Sequence, residues 1–67
     1  MKKEERFKKF TQDMKKAGYT VESYQGRYFY DGPAVICERD EFQDVLRATT
    51  VKVIWDSMGL GFVIYPG

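Results

Sequence analysis

Few side chains in this sequence can do bond-making chemistry, and their types narrow what that chemistry can be. Cysteine occurs once, at Cys37, and histidine not at all. A thiol with no imidazole to take its proton is a poor nucleophile. Its setting, Ala34-Val35-Ile36-Cys37, describes a small buried hydrophobe. Without a Cys/His set, one chain cannot assemble a zinc site of the Cys/His kind. Carboxylates gather at Glu38, Asp40, Glu41 and Asp44. Their spacing is not that of an EF-hand loop. Asp40, with Gln43 three residues on, reads instead as the capping box of a helix. Glu22, Glu38 and Asp56 would form a general acid/base pair only if the fold brought two of them together, and nothing in the sequence requires that. No glycine-rich phosphate loop is present. The residues point to a protein that is not an enzyme, with no metal and no cofactor.

Recognition chemistry is better represented. Tyr24, Arg27, Tyr28, Phe29 and Tyr30 fall within seven positions. Tyrosine and arginine are enriched at the centres of protein interfaces, and aromatic rings beside an arginine also stack on unpaired bases. Met58 and Leu60 lie in a turn with Gly59 and Gly61, where they are either exposed anchors or fold back onto the core. Charge is uneven as well. Residues 1–17 hold seven cations and three anions, the remainder four cations and seven anions, and the chain nets +1. Lys2, Lys3, Lys8 and Lys9, with Arg27, therefore form a second candidate set, for phosphates. A solvated helix face that complements the acidic remainder explains the same charges more simply.

The elements that must position these residues follow from periodicity. Phe7, Phe10, Met14 and Ala17 recur at helical spacing, with Glu4 and Glu5 at the start, Lys15 and Lys16 at the end, and Gly18 as a C-terminal cap. Tyr19 to Tyr24 alternates as a strand; Gln25-Gly26 is a two-residue turn, and Arg27 to Tyr30 returns, pairing Val21 with Tyr30, Ser23 with Tyr28, Glu22 with Phe29 and Tyr24 with Arg27. Asp31-Gly32-Pro33 then turns the chain before a third strand, Ala34 to Glu38. Asp40 opens a short helix with Phe42, Val45 and Leu46 on its apolar face, ending near Ala48-Thr49-Thr50. Val51 to Trp55 and Phe62 to Tyr65 form a final hairpin, joined through Asp56 to Gly61, with apolar residues on both faces as in a central strand, and Pro66 ends the pairing. The fold class is α+β: an antiparallel sheet of four to five strands with two helices packed on one face, in the order α-β-β-β-α-β-β.

Length bounds the rest. Residues 1–67 make one small domain. With one cysteine there is no internal disulfide, so dense aromatic packing or self-association must supply stability. The N-terminus has no apolar run behind its lysines, no segment is long and apolar enough to span a membrane, and a lone cysteine fits a reducing compartment; the expectation is a cytoplasmic protein.

Tyr28-Phe29-Tyr30-Asp31-Gly32-Pro33-Ala34-Val35, followed by Trp55 to Pro66, resembles short uncharacterised single-domain proteins of cyanobacteria and their viruses. The resemblance implies a stand-alone cytoplasmic domain and carries no activity. Taken together, the residues favour a protein-binding module, an adaptor or inhibitor of a larger protein, docking through an aromatic sheet face (Tyr24, Arg27, Tyr28, Phe29, with Met58 and Leu60), with self-association as a homodimer open. The alternative is single-stranded nucleic-acid binding through the basic helix and the tyrosines.

Overall fold

A computed structural model describes residues 2–67; Met1, the first residue of the N-terminal stretch considered above, lies outside the described residues. The order is α1 (Lys3–Lys16), β1 (Glu22–Gln25), β2 (Asp31–Glu38), a 3₁₀ turn (Arg39–Glu41), α2 (Phe42–Arg47), β3 (Val53–Met58) and β4 (Gly61–Pro66). The strands form one antiparallel sheet of four, ordered β1-β2-β4-β3. This is the expected α+β class with one strand fewer, in the order α-β-β-α-β-β. No helix among the described residues is long and apolar enough to cross a membrane.

α1 forms where the apolar spacing places it. Phe10 and Met14 are fully buried, whereas Ala17 at the helix end is exposed. Gly18, at φ 93°, closes the helix: its N–H donates to Lys15 O and that of Tyr19 to Met14 O, which satisfies two terminal carbonyls. α2 starts differently from the expectation. Its approach is a 3₁₀ turn capped by Glu38, whose side chain accepts from the Glu41 N–H while Glu41 Oε1 accepts from the Glu38 N–H. The cap sits at Glu38 rather than Asp40 because β2 runs directly into the turn.

The main correction concerns the first hairpin. Arg27 to Tyr30 is not a strand, and Asp31-Gly32-Pro33 is not a turn. β2 begins at Asp31 and pairs with β1 as Gln25↔Asp31, Tyr24↔Gly32, Ser23↔Pro33 and Glu22↔Ala34. The connection spans 26–30 and is closed by Gly26 N–H to Tyr30 O (2.9 Å) and Tyr30 N–H to Arg27 O (3.1 Å). Two packing demands select this longer loop. A Cβ on Gly26 would lie 2.8 Å from the Tyr65 ring, so the backbone is pressed flat on that aromatic face. Tyr30 stacks on the same ring, centroids 4.5 Å apart, and its hydroxyl donates to Pro33 O (2.6 Å). Pro33 is tolerated because the first half of β2 pairs only with β1; β4 takes over from Val35 to Glu38.

Alternation along β2 and β4 builds two apolar layers. Val35, Cys37 and Ile64 point to the helices, where Phe10, Met14, Val45 and Val51 complete the main core. Both helices thus cover one face. Ala34, Val63 and Tyr65 point the other way, under Tyr24, Tyr30 and Ile54. β4 is one of the two inner strands, flanked by β2 and β3, and its Val63, Ile64 and Tyr65 are all inaccessible; β1 and β3 are the edges. Trp55 on that edge is partly exposed and packs edge-on against Phe42.

Candidate docking site at the aromatic turn

Asp56 was expected in the turn of the last hairpin. It stands inside β3 instead, opposite Val63, with its side chain 16% exposed. Aspartate is disfavoured in strands, and here it is held by three donors. Tyr24 OH donates to Oδ2 at 2.9 Å, Tyr65 OH to the same oxygen at 3.0 Å, and Arg27 Nε to Oδ1 at 2.5 Å. Arg27 Nη2 also donates to Trp55 O (2.7 Å). Burial alone would raise this carboxyl, but the bonds from Tyr24, Tyr65 and Arg27 together outweigh it and hold Asp56 below the usual carboxylate range. The same bonds push the Tyr24 hydroxyl and the Arg27 guanidinium upward. Tyr30, whose ring lies between Tyr65 and Phe7, is shifted well above an ordinary tyrosine, chiefly by burial.

This hub fixes the 26–30 turn from below and leaves its tip outside. Tyr28 and Phe29 are 84% and 103% exposed and adopt φ of 57° and 60°. Two consecutive bulky residues in the left-handed region are unusual, and each costs on the order of 1–2 kcal/mol. Beside them the first turns of α1 contribute Lys3, Arg6 and Phe7, which with Tyr28, Phe29 and Ile54 line a cleft of about 240 Å³. Lys3 Nζ lies 5.5 Å above the Phe7 ring. Arg6 Nε is shielded from solvent and has no acceptor among the described residues.

The candidate residues therefore divide. Tyr24 is turned into the domain by Asp56, and Arg27, though its side chain stays 61% exposed at the edge of the cleft, is tied to the same carboxylate; both position the turn. Tyr28 and Phe29 are outward, on a turn rather than the sheet face on which they were expected. The structure joins them to Lys3, a member of the second candidate set. Lys2 and Lys8 are exposed, and Lys9 is paired with Asp13 at 3.2 Å. Met58 and Leu60, 44% and 93% exposed, lie at the far end of the β3–β4 hairpin beside Ile36, in a separate hollow. Glu22 and Glu38 do not converge: Ala34, the partner of Glu22, is four positions from Glu38 along β2, roughly 13 Å. Cys37 is buried behind the sheet, and burial pushes its thiol up, away from the reactive thiolate.

Tyr65, Arg6 and Ile54 are residues that sequence reasoning did not single out, and Asp56 figures there only as one of three acids that could form a general acid/base pair, not as the acceptor of a hydrogen-bonded hub. One signal was present: an aspartate following Val53-Ile54-Trp55 has no place in a strand unless donors meet it across the sheet. Compared with protein-family models, with curated proteins and with solved structures, the chain matches none of them.

Proposed function

We propose that the protein is a small docking module that engages a larger protein through the Tyr28–Phe29 turn and the cationic cleft beside it. The observation that carries this reading is the conformation of the turn. Two aromatic side chains are held almost wholly in solvent on backbone that costs energy, while the contacts that hold the turn fall on Gly26, Arg27 and Tyr30 and leave both rings uncovered. Strain of this kind gathers where a surface is pre-shaped for a ligand. Covering both rings removes on the order of 300–500 Å² of apolar surface, worth roughly 10 kcal/mol before association costs consume most of it. Micromolar affinity is the scale to expect. Lys3 and Arg6 favour an acidic segment in the partner.

The test is affinity capture of the tagged chain from its source lysate, with and without nuclease, read by mass spectrometry and repeated with Tyr28→Ala and Phe29→Ala. A protein that survives nuclease and is lost with either variant supports the reading. Capture unchanged by both variants refutes the site.

A second reading, single-stranded nucleic acid, is favoured by one feature: cations and stacking rings share the same cleft. It requires quenching of tyrosine or Trp55 fluorescence by oligonucleotides that weakens steeply with salt. A flat titration at low salt removes it.

A further inference from the structure

The hollow at the far end of the β3–β4 hairpin has the opposite character to the aromatic turn. It is an open space of about 800 Å³ floored by Ile36, Met58 and Leu60. All three side chains are substantially exposed. Glu38, Asp40 and Glu41 stand at its rim, with one carboxylate oxygen from each within 4.8 Å of the others. Among the described residues the ion pairs are Lys9–Asp13 and Arg27–Asp56, so none of the three is ion-paired; Arg39, which shares the rim, offsets one charge of the three and leaves it net negative. An apolar floor under net negative charge is complementary to an apolar knob flanked by cations. Such a knob exists on the same molecule: Tyr28 and Phe29, flanked by Lys3 and Arg6. A molecule cannot fill its own hollow. Ile54, beside the turn, and Met58, at the hollow, are four residues apart along β3, roughly 13 Å, and the two surfaces lie at opposite ends of the hairpin.

We propose that the aromatic turn of one copy seats in the Ile36–Met58–Leu60 hollow of the next, so that the occupant of the hollow is a second copy of this chain. The proposal rests on the reading of Tyr28 and Phe29 as a docking knob, and names a partner for it. The contact is head-to-tail. Each copy uses two different surfaces, so the assembly extends to a ring or an open chain rather than stopping at a symmetric dimer. The surfaces are small, below the roughly 1,200 Å² of a standard stable interface, so association is weak and reversible. Its rim charges make it sensitive to salt.

The experiment is sedimentation of the full chain from about 10 μM to about 1 mM, a range suited to weak contacts, alongside two variants at exposed positions: the double variant Tyr28→Ala/Phe29→Ala, which lacks the knob, and Leu60→Asp, which spoils the hollow. The expected result is concentration-dependent growth beyond a dimer for the natural chain, weakened several-fold in high salt, and a monomer for each variant alone. An equimolar mixture of the two variants forms a heterodimer and nothing larger, because the intact knob of one meets the intact hollow of the other and both remaining surfaces are blocked. A natural chain that stays monomeric throughout, variants that associate as it does, or a mixture without heterodimer each overturns the proposal. These failures are distinct from that of the docking reading. A monomeric chain that still loses its captured partner with Phe29→Ala refutes the second copy and keeps the knob.

Discussion

Replacing Asp56 by alanine should cost this domain a large part of its stability. Asp56 is only 16% exposed and accepts hydroxyl donors from Tyr24 and Tyr65 on one oxygen. A hydrogen bond to a charged group contributes about 1.5–3 kcal/mol, and a buried donor left without an acceptor costs about 1–3 kcal/mol. Tyr65 is fully buried, so its hydroxyl is the donor that would be stranded. The ion pair with Arg27 adds little, because the arginine side chain is 61% exposed and solvent screens the pair. The expected loss is about 3 kcal/mol, against a total of roughly 3–10 kcal/mol for a domain of this length. At about 4–8 °C per kcal/mol for small domains, the midpoint of thermal unfolding should fall by about 12–24 °C. Circular dichroism melts of Asp56→Ala, Tyr65→Phe and the double variant provide the assay. Tyr65→Phe removes the stranded donor, so the double variant should be less unstable than the sum of the singles by about 1 kcal/mol or more. Strict additivity, or an Asp56→Ala midpoint within about 4 °C of the natural chain, would refute the hub.

Four further outcomes follow from named contacts. Phe29→Gly should hold or raise stability by up to about 1 kcal/mol, because glycine accepts the left-handed backbone, while partner capture is lost; a destabilised variant that still binds contradicts the account of the turn. Gly61→Ala should cost about 2–3 kcal/mol in urea unfolding, since its Cβ would drive into the Cys37 carbonyl across the sheet. Thr49→Val should cost about 1 kcal/mol by the same measurement: Thr49 Oγ1 donates to Asp13 at 2.7 Å and accepts from the Val51 N–H at 3.1 Å. Native Cys37 should react with a thiol reagent many-fold more slowly than in urea, because it is 6% exposed and its thiol is shifted up by burial.

How far the sequence disclosed this arrangement depended on the kind of signal. α1, the apolar face of α2 and the C-terminal hairpin were legible because each repeats a period, and Gly18 marked its own boundary. The 26–30 turn was not legible. Gln25-Gly26 is an acceptable two-residue turn, and Tyr28-Phe29-Tyr30 has strong strand preference. What overrode both was Tyr65, which claims Gly26 and Tyr30 for its ring. That demand is tertiary and leaves no local trace. The same distance in sequence hid the site: Arg27 meets Asp56, and Phe7 meets Tyr30, only once β1 and β2 are wrapped against α1 and β3. Composition identified Tyr28 and Phe29 as candidates, yet by the wrong route, since they are exposed by a backbone that strand preference argues against.

Asp56 also ties the proposed docking surface to the pH at which the domain holds together. Its folded carboxyl titrates below the unfolded value of about 3.9. Its stabilisation is therefore complete above that value and is lost as pH falls through the folded pKa. Asp13 behaves in the same sense, held down first by its bond from Thr49 and then by Lys9. Both acids thus weaken the fold on the acid side of about pH 4. They act on different parts of it: Asp13 joins α1 to the loop before β3, whereas Asp56 anchors the turn. Protonating Asp56 removes its charge and turns one of its two oxygens into a donor, which weakens the bonds from Tyr24, Tyr65 and Arg27, so the turn should loosen in the same range in which the domain unfolds. In the natural chain, tyrosine fluorescence and far-ultraviolet circular dichroism should then report one shared acid transition. In Asp56→Asn, which keeps an acceptor but not the charge, the acid limb that remains belongs to Asp13 and should be shallower. An unchanged acid limb in Asp56→Asn would mean that the charge on Asp56 does not hold the turn.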